Sequence, residues 1–323
     1  MPTPLLFYFK SLDSPTQYNL HHTLLKMGAE PTSKANWANF SDKNLSLDDN
    51  ICQLLEYKHK LATVVTELSP QVMPTTLLVN DDNYYDTIKD IDISPENPWI
   101  LKPSLLNNGH GITIFDQKET LLQHYGGGER YGGWHVLQQY ITSPHLLDKR
   151  KYTIRLFVVV TNLEKHYLYR HGYVNICRKN YIADDINDLS THLSNEHLST
   201  NKQSNSYQWP TTRVAHFEDV YPNLQRITQT VLHAFNDASR EIKADETTPA
   251  FSLFGFDFLL DENLRPWLLE ANHCPCFPKD KHHPLIPHLY QQFWRDIVEA
   301  TVKPIAEGKL SNFGQGTNFQ ACQ

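Results

Sequence analysis

The segment Phe251 to Phe277 reads FSLFGFDFLLDENLRPWLLEANHCPCF. Two apolar runs flank the polar stretch Asp261-Glu262-Asn263-Leu264, the pattern of two strands joined by a tight turn, and a Pro/Cys-rich exit follows. Side chains of a strand alternate between faces, so Glu270 and Asn272 point one way and Trp267, Leu269 and Ala271 the other. With Glu262-Asn263 as a two-residue tip, Gly255 falls opposite Glu270 and Leu268 opposite Asp257. That register gathers Asp257, Glu270 and Asn272 on one face, with Gly255 leaving open space over Glu270. A turn one residue longer sends Asp257 to the other face, because a one-residue slip inverts every side chain.

Two carboxylates and an amide on an otherwise apolar hairpin are costly unless something neutralises them. A hard divalent cation does so through oxygen ligands, and magnesium takes one or two carboxylates and completes its shell with phosphate and water. The alternative is a solvated outer face, the common fate of alternating polar residues in an antiparallel pair. Leu253, Leu259 and Leu268, on the same face, favour the metal reading with Asp257, Glu270 and Asn272 as ligands.

The chain has 323 residues, 40% hydrophobic and 11% aromatic, enough for a packed core in one large domain or a few small lobes. Its 29 basic and 36 acidic residues give a formal charge of −7, and no basic cluster stands out. Nucleic-acid binding is therefore not expected. Five cysteines in a chain this long do not form a disulfide framework and fit a reducing compartment. The first residues lack a basic n-region, and no apolar run reaches membrane-spanning length, so no membrane association and a cytoplasmic location are expected. Cys274, Cys276, His273, His282 and His283 do not have the spacing of a structural zinc site.

Upstream, the pattern predicts a strand at Leu5–Lys10, a helix over Pro15–Met27, helical periodicity over Leu45–Glu67 with Lys58 and Lys60 as its basic segment, and a strand at Pro74–Val79. Asn80–Asn97 is acidic and is expected as a surface connection. Trp99–Pro103 is a strand ending in Lys102 just before a proline; the glycine loop Asn107–Ile112 and a return strand to Phe115 follow. A lysine strand entering a glycine loop suits a lid whose backbone approaches a polyphosphate, with Lys102 as a point charge. Gly126–Gly133 lacks the lysine and helix of a phosphate loop and is expected as a connector after a helical run at Lys118–Tyr125. His135–Ile141 is a buried strand.

Lys151–Thr161 is a long strand by its β-branched content, with Lys151, Thr153 and Arg155 on one face. Cations spaced in this way call for an anion beside them, or for an edge strand guarded by charge. Lys165–Cys177 is expected as strand, turn and strand. Asn201–Gln208 is polar and expected to be mobile. Asp219–Lys243 is an amphipathic helix with an apolar stripe of Leu224, Ile227, Val231 and Phe235. A further helix is expected at Pro284–Ile305, and a loose tail from Glu307.

The Gly-Phe-Asp-Phe, Asp-Glu-Asn-Leu and Trp-Leu-Leu-Glu-Ala-Asn runs of the hairpin resemble the metal-binding hairpin of tubulin tyrosine ligase-like proteins. These are amino acid–protein ligases of the ATP-grasp fold, and ordered motifs over residues 99–278 extend the resemblance. It implies an α/β (α+β) fold in which two lobes sandwich ATP: an N-terminal α/β lobe (1–80), a central lobe with a glycine lid (81–141), a C-terminal lobe (142–305) and a tail (306–323). It implies ATP and Mg2+ as cofactors, with Lys102, Gly109, Gly111 and Ile112 in the lysine strand and lid. Gln138, Gln139, Tyr140 and Ile141 match the hinge that holds adenine, with Gln139 in place of the family's lysine. Lys151 matches the nucleotide-binding lysine and Arg155 the arginine at the reacting phosphate, while Thr153 stands where an aspartate to ribose is usual. Asn195 closes a Thr-His-Leu-Ser-Asn run similar to the family's His-Leu-Thr-Asn. Asn175 occupies the place of a substrate-binding arginine, which leaves Arg170 or Arg178 as substitutes.

The implied catalytic residues are Lys102, Arg155 and Glu270, and the implied reaction adds glutamate, glycine or tyrosine to a protein acceptor through an acyl phosphate. The partners are then a protein acceptor and a free amino acid; tubulin is one such acceptor, although a net charge of −7 does not attract its acidic tail. Two rivals stand beside this reading. Asn175 supports a ligase or phosphoryl transferase for a small molecule or a non-tubulin substrate. An inactive nucleotide-binding interaction module would have shed some of the metal and phosphate residues, and all are present.

Overall fold

In the computed structural model, residues 4–68, 71–127, 130–195, 204–243 and 247–322 are described. The architecture is the mixed α/β kind expected, with its strands in three sheets that follow one another along the chain. A small parallel sheet comes first, from β1 (Leu6–Tyr8), β2 (Glu30–Pro31) and β3 (Phe40–Ser41), with β1 in the middle. Helix α1 (Pro15–Lys26) connects β1 to β2 and buries Leu20 and Leu24. The expected helix over 45–67 is broken by extended backbone at Tyr57 into α2 (Asp49–Glu56) and α3 (Lys58–Val64).

The second sheet, antiparallel, runs in the order β4 (Thr76–Val79), β7 (His135–Gln139), β5 (Trp99–Pro103), β6 (Thr113–Phe115). Its outer face buries Val79, Trp99, Leu101 and Leu137 beneath α4 (Tyr84–Ile88) and α5 (Lys118–Gly126). The acidic connection at 80–97 is thus more than a surface loop: it carries α4 and buries Ile88 and Ile93. Because β4 pairs with β7, residues 76–79 belong to this sheet rather than to the N-terminal part. Of the Gly126–Gly133 connector, residues 128–129 lie outside the described residues.

The third sheet carries β11 (Ser206–Pro210), β10 (Tyr167–Cys177), β9 (Arg150–Thr161), β12 (Phe251–Leu260) and β13 (Pro266–His273) in that spatial order, with β8 (Leu146–Leu147) beside β9. Alternation along β9 sends Tyr152, Ile154, Leu156, Val158 and Val160 into a core shared with α2, α3 and α7 (Phe217–Lys243). The stripe Leu224, Ile227, Val231 and Phe235 of α7 is buried there, as its periodicity predicts. On the opposite face Phe157 and Val159 enter a second core against α1 and the helical run 286–306, which contains α8 (Gln291–Ile297) and α9 (Lys303–Ala306).

Three sequence expectations need correction. The stretch read as strand, turn and strand is the single strand β10, whose register with β9 shifts between Leu168 and Gly172. The polar stretch read as mobile includes Ser206, Tyr207 and Gln208, which pair with β10 in β11; residues 201–203 lie outside the described residues. The tail is not loose, because β14 (Phe319–Ala321) adds to the other half of β10. Phe313, Phe319 and Cys322 are buried, and Asn318 Nδ2 donates to the buried Asp296 carboxylate at 2.7 Å. No helix among the described residues is long and apolar enough to cross a membrane.

Candidate active site

The hairpin of β12 and β13 reaches the expected arrangement by a different route. Leu260 pairs with Pro266, leaving Asp261–Arg265 as the turn and shifting the register by one residue from the two-residue tip. Asp261 builds that longer turn, its carboxylate accepting from the backbone N–H of Asn263 and Arg265 and from Trp267 Nε1, each at 3.0 Å. The shift alone would turn Asp257 away from Glu270. A β-bulge at Leu269 supplies a second shift, so Asp257 lies directly opposite Glu270 and Gly255 opposite Asn272. Leu268, expected beside the carboxylates, instead faces the core with Phe258, and Leu269 takes its place on the cavity side. The space over Gly255 is not open: a Cβ there would lie 2.5 Å from Arg155 Cδ, so the missing side chain is what lets Arg155 cross the strand.

A cavity lies between the second and third sheets, with Lys58 of α3 at its wall. Its lining unites, from the residues the sequence singled out, Lys102, Gly109, Ile112, Gln138, Gln139, Tyr140, Ile141, Lys151, Thr153, Arg155, Asn175, Asn195, Asp257 and Glu270. Asn272 stands behind the two carboxylates, its Nδ2 donating at 3.2 Å to both Asp257 and Glu270. Gly111 does not line the cavity; it has φ +68, and a Cβ on it would lie 2.8 Å from the Tyr131 ring, so it closes the back of the loop. Arg170 is elsewhere, paired with Glu218 and stacked 4.1 Å from the Tyr221 ring. Arg178 is spent on the Ser204 carbonyl at 2.8 Å and also does not line the cavity. Neither of these two arginines therefore replaces the one missing at Asn175, which instead accepts from Gln208 Nε2 at 3.0 Å.

At the carboxylate end, Arg155 grips Asp257 with two parallel bonds, Nε to Oδ1 at 2.5 Å and Nη2 to Oδ2, the strong bidentate geometry of guanidinium and carboxylate. Glu270 faces Lys58, whose Nζ is 3.3 Å from Oε2 and also donates to the Leu106 carbonyl at 2.7 Å. Burial works against the charge on Glu270, but Lys58, Lys102 and Arg155 outweigh it and hold the carboxyl low. Burial has the upper hand at Asp257, and with Glu270 beside it the carboxyl rises despite Arg155. Two facing carboxylates suit a hard divalent cation that completes its shell elsewhere, and Asn272 holds them from behind through its Nδ2.

Lys58 escaped sequence reading as a site residue, yet its position carried a signal. In α3 it is buried with Leu61 and Ala62, so a cation sits on an apolar helix stripe. Its backbone N–H bonds the Ser104 carbonyl at 3.3 Å, and the neighbouring His59 Nδ1 lies 2.5 Å from Ser104 Oγ, fastening the start of the glycine loop to α3.

At the hinge end, Lys102 Nζ donates to Gln138 Oε1 at 2.8 Å, and Gln138 Nε2 to Thr76 Oγ1 at 2.8 Å. Lys151 Nζ donates to the Tyr140 hydroxyl at 2.7 Å, and Thr153 Oγ1 lies 2.8 Å from Ser194 Oγ. The backbone N–H groups of Gln139 and Tyr140 are used within the protein, on the carbonyls of Thr75 and Pro98 at 2.8 and 3.0 Å. Burial brings Lys102 down to about 8 and Lys151 to about 7, so each is poised to gain from an arriving anion.

Comparison with known proteins gives the family of the chain. The mouse "Probable tubulin polyglutamylase TTLL2" is 30% identical over 227 residues, which cover 65% of this chain and 40% of that protein. "Tubulin glycylase 3B" of Tetrahymena thermophila is 26% identical over 69% of this chain and 19% of its own length. The mouse "Protein monoglycylase TTLL8" is 25% identical over 75% of this chain and 30% of its own. The chain thus spans well under two thirds of each of these relatives. The profile described as "Tubulin-tyrosine ligase family" matches residues 45–310, from the helix that carries Ile51 to the end of the last helical run, and the chain belongs to that family.

Proposed function

We propose that the chain is an ATP-dependent carboxylate–amine ligase that adds an amino acid of the glutamate, glycine or tyrosine class to a protein acceptor, forming ADP. The observation that carries this reading is the meeting, in one cavity, of facing carboxylates and four cations: Asp257 and Glu270 with Lys58, Lys102, Lys151 and Arg155. ATP then lies between two lobes, adenine toward Gln138–Ile141 and phosphates toward the cations, and Asn195 closes the site beside Thr153. Asp257, Glu270 and Asn272 would hold Mg2+, which would supply neutralisation of phosphate charge.

The roles of the chain's own residues follow from their charge. Lys58, Lys102 and Lys151, all three buried, offset phosphate charge where electrostatic effects are strong. Arg155 lies across Gly255 within reach of the carboxylates and stabilises charge on the transferring phosphoryl group. The acceptor or amino-acid carboxylate takes the γ-phosphoryl as an acyl phosphate, ADP leaves, and the amine displaces phosphate to form the amide. Tubulin is the acceptor to try first, because two of the relatives are named as a tubulin polyglutamylase and a tubulin glycylase.

The test is incorporation of each labelled amino acid into protein from a cell extract with Mg-ATP, using Glu270→Gln as control. Label on a discrete band that disappears in the variant supports a protein ligase. ATP turnover without protein labelling favours the second reading, a ligase or phosphoryl transferase for a small molecule. The Asn175–Gln208 amide pair at the cavity wall, in place of a cation, is its specific support.

A further inference from the structure

Beside the hinge, three side chains form a hydrogen-bond chain whose direction is fixed from one end. His192, the last residue of α6 (Leu189–His192), is buried. Its Nε2 lies 2.8 Å from the Asp185 carbonyl oxygen, and a carbonyl only accepts, so Nε2 carries a proton. Its Nδ1 lies 2.7 Å from the Tyr140 hydroxyl, and a contact this short contains a proton as well. Either the ring is an imidazolium or Tyr140 donates. Burial disfavours the imidazolium, and Lys151 disfavours it further; the ring is neutral and Tyr140 donates. The Tyr140 oxygen then faces Lys151 as an acceptor, and Lys151 Nζ donates to it at 2.7 Å while lying 4.3 Å from the centre of the same ring.

Tyr181, which gives its own proton to the Thr142 carbonyl at 2.7 Å, offers its oxygen to Tyr140 as a second acceptor; the neutral His192 ring takes the Tyr140 proton because it has no other to place in its 2.7 Å contact. Cys177 and Lys102 act on Lys151, and Asp185 and Asp188 on His192.

We propose that His192 is a positioning residue which, by accepting from Tyr140, turns the tyrosine oxygen toward Lys151 and holds that ammonium across the cavity for nucleotide phosphate. The inference rests on the ATP-binding reading given above. It makes His192, which lines the cavity and reaches Lys151 through Tyr140, a determinant of nucleotide affinity.

The experiment compares His192→Asn, which keeps an acceptor where Nδ1 lies, with His192→Phe, which keeps a ring and has none. Calorimetric binding of Mg-ADP to the full chain is expected to weaken about tenfold in His192→Phe and to stay near the unaltered value in His192→Asn. Tyr140→Phe should reproduce the loss, and the double variant Tyr140→Phe with His192→Phe should add nothing to it. A role in packing alone reverses the order, with phenylalanine tolerated better than asparagine. That order, or independent losses in the double variant, overturns the proposal. Competitive acetylation read by mass spectrometry follows Lys151 without nucleotide: its apparent pKa should fall in His192→Phe and hold in His192→Asn, and an unchanged value in both overturns the chain. If the unaltered protein binds no nucleotide, the proposed function fails, and acetylation still decides the geometry.

Discussion

One face of the large sheet has two halves that obey the same alternation and hold opposite chemistry. Along β9 and β12, Phe157, Val159, Phe251 and Leu253 meet helices and form a dry core. A few residues along, on the same face, Lys151, Thr153, Arg155, Asp257 and Leu259 meet the second sheet across a cavity. The backbone is one continuous ladder through both halves. What differs is the covering layer: a helix fills the gap beyond the apolar half, and a sheet stands off from the polar half. Strand period places the site, and the layer above decides whether it is a core or a cavity.

The largest effect that would break the comparison is in the polar half. Glu270→Gln should lower turnover by at least about 10³-fold while leaving the circular dichroism spectrum unchanged; near-normal turnover would remove Glu270 from the chemistry. In the apolar half, Leu253→Ala should cost about 2–5 kcal/mol of stability in denaturant titration and leave turnover per folded molecule close to that of the unaltered protein. Gly255→Ala lies at the border. Its new methyl group strikes Arg155 Cδ, so stability should fall by about 1–3 kcal/mol and turnover by more than that loss of folded protein accounts for.

A smaller effect should appear with pH. Lys151 and Lys102 have folded pKa values of about 7 and about 8, against about 10.4 for an unfolded lysine. Between about pH 8 and 10 the unfolded chain holds more protons, so stability should rise with pH, the penalty being fully present below about 7. Nucleotide affinity should run the other way, because phosphate recharges lysines that are neutral above pH 8. Calorimetry in two buffers of different ionisation enthalpy should show proton uptake on binding. The smallest effect is expected outside both halves: Arg170→Ala, at a surface pair with Glu218, should change stability by less than about 1 kcal/mol and leave turnover alone.

Much of this was legible in the chain. Alternation alone put Lys151, Thr153 and Arg155 on one face, and the glycine loop with its lysine strand was plain from composition. The longer turn is not legible, because nothing in the sequence shows that the Asp261 side chain bonds three donors and stretches the loop. The bulge at Leu269 was invisible for a related reason, since nothing in Leu-Leu-Glu distinguishes a paired leucine from an unpaired one. The role of Lys58 is hidden because charge in a helix usually means solvent, whereas here the lysine is buried with Leu61 and Ala62. The tail was misjudged because Phe319 and Ala321 are few; their strand exists only because β10 offers an edge far away in sequence.

The long turn and the bulge together act as a parity check on the hairpin. Each contributes one odd step, and only their even sum keeps Asp257 across from Glu270. A slip at either place alone, with the sequence unchanged, would put Asp257 and Glu270 on opposite faces. Deleting Leu269 would not: it leaves Phe258 opposite Leu268 and Asp257 opposite Glu270 as successive pairs of a regular ladder. The extra leucine is thus dispensable to the facing carboxylates, and a homologous hairpin one residue shorter at that place is expected to keep them together.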